Sequence, residues 1–261
     1  MPIAPLPFTH LNGLLLFATA FIAGGLNAVA GGGSFISFPT LIFTGVSPIA
    51  ANATNNTALW VASLASASAY RRDLDIDRRT MLILSSVSLV GGLLGSILLL
   101  YTSGDVFKKL IPYLLLLATI VFIFGESFKQ WLQSLNRSDA PKSLPLVYLV
   151  IIQLIVAIYG GFFGAGIGIL MLASLAFFKI KNIHAMNALK TWLGTCINGI
   201  AIIPFLFAGI IAWHQVIIMA IGGALGGYFI ANFARQIPSQ IIRRFVSIVA
   251  ISMTTYFFIH G

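Results

Sequence analysis

Charge is scarce in this sequence. Asp, Glu, Lys and Arg make up 8% of its 261 residues, where a soluble domain carries about 25%. With 59% hydrophobic residues and a mean hydropathy of +0.99, that scarcity excludes an ordinary soluble globule. Alternation of apolar and polar residues is missing as well, which excludes a membrane β-barrel. There is one cysteine, Cys196, so the chain has no internal disulfide and no CxxC pair. It lies in an apolar run and reads as packing. The acids number six: Asp73, Asp75, Asp77, Asp105, Glu126 and Asp139. All fall in loops or at segment ends. No carboxylate is left inside an apolar segment to ligate a cation or relay a proton, which disfavours cation transport and favours an anion. HExxH and GxSxG are absent too, so an intramembrane enzyme lacks its machinery. The N-terminal stretch MPIAPLPFTHLNG has no positive region ahead of its apolar run, and a cleaved signal peptide is not expected.

What is present is a series of apolar runs, many near 20 residues, the pattern of an all-α polytopic membrane protein with one membrane domain. The net charge of +9 sits at the ends of those runs, as membrane topology requires, and not on one helix face. Nucleic-acid binding is therefore not expected. Apolar segments fall at about 11–30, 34–44, 47–70, 80–102 and 106–125, then at about 146–165, 169–179, 183–208, 214–232 and 239–259. A polar linker, 126–145, separates the two sets. The segments 34–44 and 169–179 are about half a bilayer long at 1.5 Å per residue.

Five segments, a linker and five of matching length point to a repeat, about 11–125 and about 146–259. A shift of 135 residues pairs Gly25 with Gly160, Gly31 with Gly166 and Gly33 with Gly168. It also pairs Asn52 with Asn187, and Lys108-Lys109 with Arg243-Arg244. With a small gap, GGLLG (91–95) pairs with GGALG (222–226). The distribution of basic residues decides the orientation of the halves. If each long–short pair were one continuous crossing, the basic residues would divide seven against seven. If each pair reverses at its glycines, they divide twelve against two, with only Lys108 and Lys109 on the minor side. The expected architecture is thus two inverted repeats, each a broken or re-entrant half-helix pair followed by three transmembrane helices. Both termini then lie outside the cytoplasm.

AGGGS (30–34) permits a sharp reversal with close backbone approach. The new helix at Ser34 would present N–H groups that favour an anion. GAGIG (164–168) occupies the same place in the second half. For GGLLG and GGALG the simpler reading holds, that glycines let helices pack closely. The helix after the first break carries NATNNTALW (52–60). Asn52, Asn55 and Asn56 share one face at i, i+3 and i+4, extended by Thr57 and Trp60. NALKTW (187–192) puts Asn187, Lys190 and Thr191 in the same phase. Asn and Thr can act as interhelical glue, but three Asn in five positions suit a polar site where broken helices converge. Lys190 is a lone cation in an apolar segment. Two readings stand: a counter-ion for an anionic substrate, or a side chain that snorkels to the interface. His184 and His214 lie near segment starts and read as interfacial.

The stretch from Gly24 to Trp60, the loop YRRDLDIDRR (70–79) and GGLLG (91–95) resemble the TauE/SafE sulfite exporter family. GGFFGAGIGILM (160–171) and NALKTW fit that family's repeat. The resemblance implies a multi-pass permease of a bacterial-type inner membrane for sulfite, sulfonates or related organic anions. An anion channel or an oxalate-like carboxylate transporter is the alternative. The candidate binding residues are Asn27, Gly31, Gly32, Gly33 and Ser34 at the first break and Asn52, Asn55, Asn56, Thr57 and Trp60 beyond it. Gly166, Gly168, Asn187, Lys190, Thr191 and Trp192 come from the second half. The partners are a small anion and the lipid bilayer, with no cofactor, metal or nucleic acid. A homo-oligomer and a coupling ion stay open.

The charge count generates a topology test. Single cysteines in the 71–79 loop and in the 233–238 loop should both be labelled by an impermeant maleimide from the cytoplasmic side. Labelling of the two loops from opposite sides would restore the continuous-crossing arrangement.

Overall fold

The computed structural model describes residues 10–29, 31–74, 76–135, 146–175, 183–233 and 239–260. Among them are ten helices and no strand. In chain order they are α1 (His10–Val29), α2 (Ser34–Phe43), α3 (Pro48–Tyr70), α4 (Arg78–Tyr101), α5 (Gly104–Leu135), α6 (Leu146–Phe162), α7 (Ile167–Leu175), α8 (Ile183–Phe207), α9 (Trp213–Phe233) and α10 (Ser239–His260). Each corresponds to one apolar segment of the sequence. The two short ones are short here too, ten residues in α2 and nine in α7, though the far end expected for the second lies outside the described residues.

Local chemistry sets the boundaries. Pro48 opens α3, where its missing N–H costs nothing. Asp77 caps α4 by accepting the Thr80 N–H at 2.8 Å. That bond is the main reason its carboxyl is held below the usual range. The polar stretch from Glu126 is not all linker, because α5 continues to Leu135. Glu, Lys, Gln and Leu are good helix formers, so polarity ends the apolar run without ending the helix.

Among the described residues, five helices, α1, α4, α5, α8 and α9, hold windows long and apolar enough to cross a membrane. α3 has the length, 23 residues, but carries the Asn-rich run. Leu94, Leu98, Ile155, Ile217 and Ile248 point outward from their helices. In water so much apolar surface would be a liability, whereas toward lipid it is matched to its solvent.

Side-chain neighbours fix the helix directions. Gly222 lies against Phe17 and Gly226 against Phe21, so α9 runs parallel to α1. Gly223 meets Ala62 and Gly227 meets Ser66, so α9 is parallel to α3 as well. On the other side Gln153 donates to Ser88 Oγ at 2.8 Å and Gly95 lies against Ile158, making α6 parallel to α4. Trp192 donates to Ser85 Oγ at 2.9 Å and Gly92 meets Ile200, making α8 parallel to α4. With α1 and α3 parallel, the chain must return between them. α2 does so: Ser34 and Ser37 bond to Asn55, about two turns into α3, while Phe43 ends five residues before Pro48. α5 and α10 run antiparallel. Thr119 and Thr254 share a hydrogen bond at 3.0 Å. Tyr113, which precedes Thr119, packs edge-on to Phe258, which follows Thr254, with ring centroids 5.3 Å apart.

Backbone approaches backbone where the sequence places glycine pairs. A Cβ on Gly226 would collide with the Phe21 carbonyl, one on Gly24 with the Gly223 carbonyl, one on Gly161 with the Gly92 carbonyl and one on Gly95 with the Ile158 carbonyl. Gly95→Leu and Gly226→Leu should therefore each cost about 1–3 kcal/mol or more through overpacking, read as a lower thermal midpoint in detergent. Gly104→Ala, whose Cβ meets nothing within 4 Å, should leave the midpoint level or slightly higher. Equal losses at all three positions would contradict this packing.

Candidate functional site

Two helices end inside the bundle, and each end needs hydrogen-bond partners that a bilayer does not supply. At the first break Gly31 takes φ +84°, open to glycine but strained for other residues. Its N–H returns to the Leu26 carbonyl at 2.9 Å and closes α1. The Asn27 side chain then reaches forward and accepts the Gly33 N–H at 2.8 Å, capping α2. At the second break Gly164 and Gly166 take φ +76° and +74°. The Phe163 and Gly164 N–H groups both return to the Tyr159 carbonyl, at 2.8 and 3.3 Å. The Tyr159 hydroxyl pins the turn by donating to the Ala165 carbonyl at 2.8 Å. The two breaks touch: a Cβ on Gly31 would lie 2.6 Å from Gly168 Cα.

Each end is capped from the other half of the chain. Lys190 on α8 donates to the Asn27 and Ala28 carbonyls of α1 at 3.0 and 3.1 Å, and to Asn187 Oδ1 at 3.1 Å. Asn52 on α3 donates through Nδ2 to the carbonyl of Phe162, the last residue of α6, at 3.0 Å. One cap is a cation on the negative end of a helix dipole. The other is a neutral amide.

Beside Lys190 lies a cavity of about 30 Å³, room for one or two waters. Asn27, Gly31, Gly168, Lys190 and Thr191 line it, with Ser63, Ser66, Ile167, Met171, Gly194 and Asn198. Lys190 is 3% exposed and does not extend to an interface. No acid lines the space. Asp77 and Asp105 are exposed and Asp73 is half-buried, all outside the helix interiors; Asp75 and Asp139 lie outside the described residues. Four buried polar atoms have no hydrogen-bond partner among the described residues: Asn198 Oδ1 in the cavity wall, Asn52 Oδ1 and Asn56 Nδ2 at the second break, and Gln153 Oε1 where α6 meets α4.

The other candidates take separate places. Asn55 accepts from Ser37 Oγ at 2.6 Å and donates to Ser34 Oγ at 3.2 Å, tying α3 to the first turns of α2. Asn56 stands at the second break, where a Cβ on Gly164 would meet its Oδ1 at 2.6 Å. The Thr57 hydroxyl returns to the Ala53 carbonyl of its own helix. Trp60 is half-buried against Gly199 at the crossing of α3 and α8. Gly32 faces Val246, and Gly166 faces Ala118 and Phe35. Trp192 does not join the cavity. It is 37% exposed and its indole N–H is held by Ser85 of α4, because one residue past Thr191 is about 100° around the helix.

Ser63, Ser66 and Asn198 line the cavity without having been expected to. A signal for them was present. The stripe of Asn52 and Asn56 continues at 59, 63 and 66, and that of Asn187 and Thr191 at 194 and 198, both by helical steps of three and four.

The breaks generate a stability test. Gly31→Ala adds backbone strain of about 1–3 kcal/mol and presses on the Gly168 backbone. Gly32→Ala meets only the Val246 side chain within 3.4 Å. The first should lower the thermal midpoint clearly more than the second; the reverse order would mean that the breaks are not held in contact.

Comparison with known proteins bears on what such a site serves. The profile of the family described as sulfite exporter TauE/SafE matches residues 16–257. A Sinorhizobium protein named probable membrane transporter protein ORF9 is 27% identical over 241 residues, 91% of this chain and 89% of that protein. A probable membrane transporter protein of Haemophilus influenzae is 27% identical, covering 92% of each chain. The probable membrane transporter protein YfcA of Escherichia coli K12 is 25% identical, over 92% of this chain and 87% of its own. No solved structure matches.

Proposed function

The chain belongs to the TauE/SafE family of membrane transporters, and from that membership we propose that it carries a small sulfur-containing or organic anion, such as sulfite or a sulfonate, through the cavity beside Lys190. One observation carries the reading. A buried ammonium stands in the wall of a cavity otherwise lined by amides, hydroxyls and apolar groups, with no carboxylate. The helix end that Lys190 caps contributes only about half an elementary charge, so net positive potential remains for an anion. Thr191 and Ser66 keep their hydroxyl protons on the Asn187 and Ala62 carbonyls of their own helices, so they serve oxyanion oxygens by turning from those carbonyls; the Asn198 amide lines the same wall. At about 30 Å³ the cavity is too small for sulfite, and loading requires the helices around it to part. That need supports a carrier over an anion channel, which would hold a continuous water path.

The same proposal includes two inverted repeats, α1–α5 and α6–α10, in a bacterial-type inner membrane with both termini outside the cytoplasm. Several observations support it. α1 on α9 is answered by α6 on α4, and α1 and α3 run opposite to α6 and α8. Thr119 and Thr254 are equivalent under the 135-residue shift and touch each other on antiparallel helices. A two-fold axis through that contact lies across the helices, in the membrane plane. In this orientation Ser63 and Ser66 belong to the cytoplasmic end of α3.

Purified protein should be stabilised against heat by sulfite or a sulfonate more than by sulfate or oxalate at equal ionic strength. Lys190→Met should weaken that binding about 10- to 100-fold, because the cavity loses its positive charge even though the three ammonium donors stay on protein oxygens. Lys190→Arg should recover part of it, since a planar fork is not a point charge. Thr191→Val, which leaves the α1 cap in place, should weaken it less. Unchanged affinity in both Lys190→Met and Thr191→Val would remove the anion from this cavity. A single-channel current in planar bilayers would replace the carrier with a channel.

A further inference from the structure

Three oxygens converge on one point at the broken end of α1: the carbonyls of Asn27 and Ala28 and Oδ1 of Asn187. The Lys190 nitrogen fills that point at 3.0, 3.1 and 3.1 Å. All three ligands are neutral oxygens, and two sit on a helix C-terminus, where the dipole is negative. Carbonyls of unwound helices and half-helix C-termini are the groups with which discontinuous membrane helices coordinate small monovalent cations. Among the described residues, the cage is present at this break and not at the second. At the second break the corresponding carbonyl, that of Phe162, is met by one amide N–H of Asn52. Asn55, which stands where Lys190 stands in the repeat, turns to Ser34 and Ser37.

We infer that Asn27 O, Ala28 O and Asn187 Oδ1 form a monovalent-cation site, and that Lys190 occupies it as a tethered cation. The ammonium then does the work that a dissolved alkali ion would do at an uncapped helix end. Because it is attached to α8, the site stays filled at any salt composition. Removing the ammonium should expose the cage to a free cation of similar size, such as potassium, ammonium or methylammonium. The oxygen distances of 3.0–3.1 Å suit these better than sodium, whose oxygen ligands lie closer. The assignment of the cage does not depend on which anion is carried. Its consequence, that anion binding proceeds without an alkali ion at this break, rests on the proposed anion-carrier function.

The test reads thermal midpoints of the full chain in detergent, at constant chloride and ionic strength, with N-methylglucamine as the reference cation. Lys190→Ala should melt below wild type in N-methylglucamine chloride. Methylammonium or potassium chloride should restore at least about half of that loss, as expected when a ligand binds only the folded state. Wild type should show the same midpoint in all of these salts. A variant that melts identically in every salt would overturn the cation site. Wild type carries the second arm, which needs no variant to fold: sodium or potassium stabilising it over N-methylglucamine would mean the cage is not already filled. N-methylglucamine sulfite and sodium sulfite should stabilise wild type equally. Sulfite that acts only with sodium present would overturn the tethered-cation role. Sulfite that acts in neither salt would count against the proposed substrate, while the cation response of Lys190→Ala would still decide the cage.

Discussion

A helix that stops inside a bilayer leaves carbonyls with no water to accept from, and the rest of this structure is arranged around that constraint. α1 and α6 both stop short, and each is finished by a side chain from the opposite half: Lys190 on Asn27 and Ala28, Asn52 on Phe162. The polar face of α3 and its counterpart on α8 follow from this need. These faces are affordable in an apolar chain because most of their groups are paired with backbone. The groups left over, Asn198 Oδ1 and Asn56 Nδ2 among them, lie beside the cavity and the second break.

The caps can reach only because the helices come unusually close. Gly24, Gly226, Gly92 and Gly161 bring main chains into contact at α1–α9 and α4–α6. Gly31 and Gly168 do the same at the centre. In lipid there is little hydrophobic gain from bringing helices together, so dispersion between closely fitted backbones and hydrogen bonds between helices take its place. The glycines thus set the distances over which a lysine four methylenes long can span from α8 to the end of α1.

Much of this was legible in the sequence, for reasons that are local. Run length and hydropathy show ten segments and mark α2 and α7 as too short to span, because both depend only on nearby residues. The helical phase of Asn52, Asn55, Asn56 and Lys190 was readable in the same way. The extension of α5 to Leu135 was hidden, since a polar stretch can be helix or linker and composition alone does not separate them. The partners of Lys190 were hidden more deeply. Two of its three acceptors are main-chain carbonyls more than 160 residues away, and a carbonyl leaves no mark in a sequence. Trp192 misled because it adjoins Thr191 in the chain while facing α4 in space.

On the proposed inverted-repeat carrier, the contact between Thr119 and Thr254 has a consequence for the exchange. If a carrier switches sides by letting its halves trade conformations, every contact between non-equivalent residues trades places with a partner contact. A contact between a residue and its own equivalent has no partner and maps onto itself. The threonine pair is then a fixed point, neither made nor broken in the exchange, and it favours neither facing. The bias must come from contacts that have partners unlike themselves. One such difference is at the helix ends, where one half offers a lysine and the other an asparagine. On the proposed inverted-repeat carrier, the two facings would then be unequal in energy, and the resting orientation would follow which broken end holds the charge.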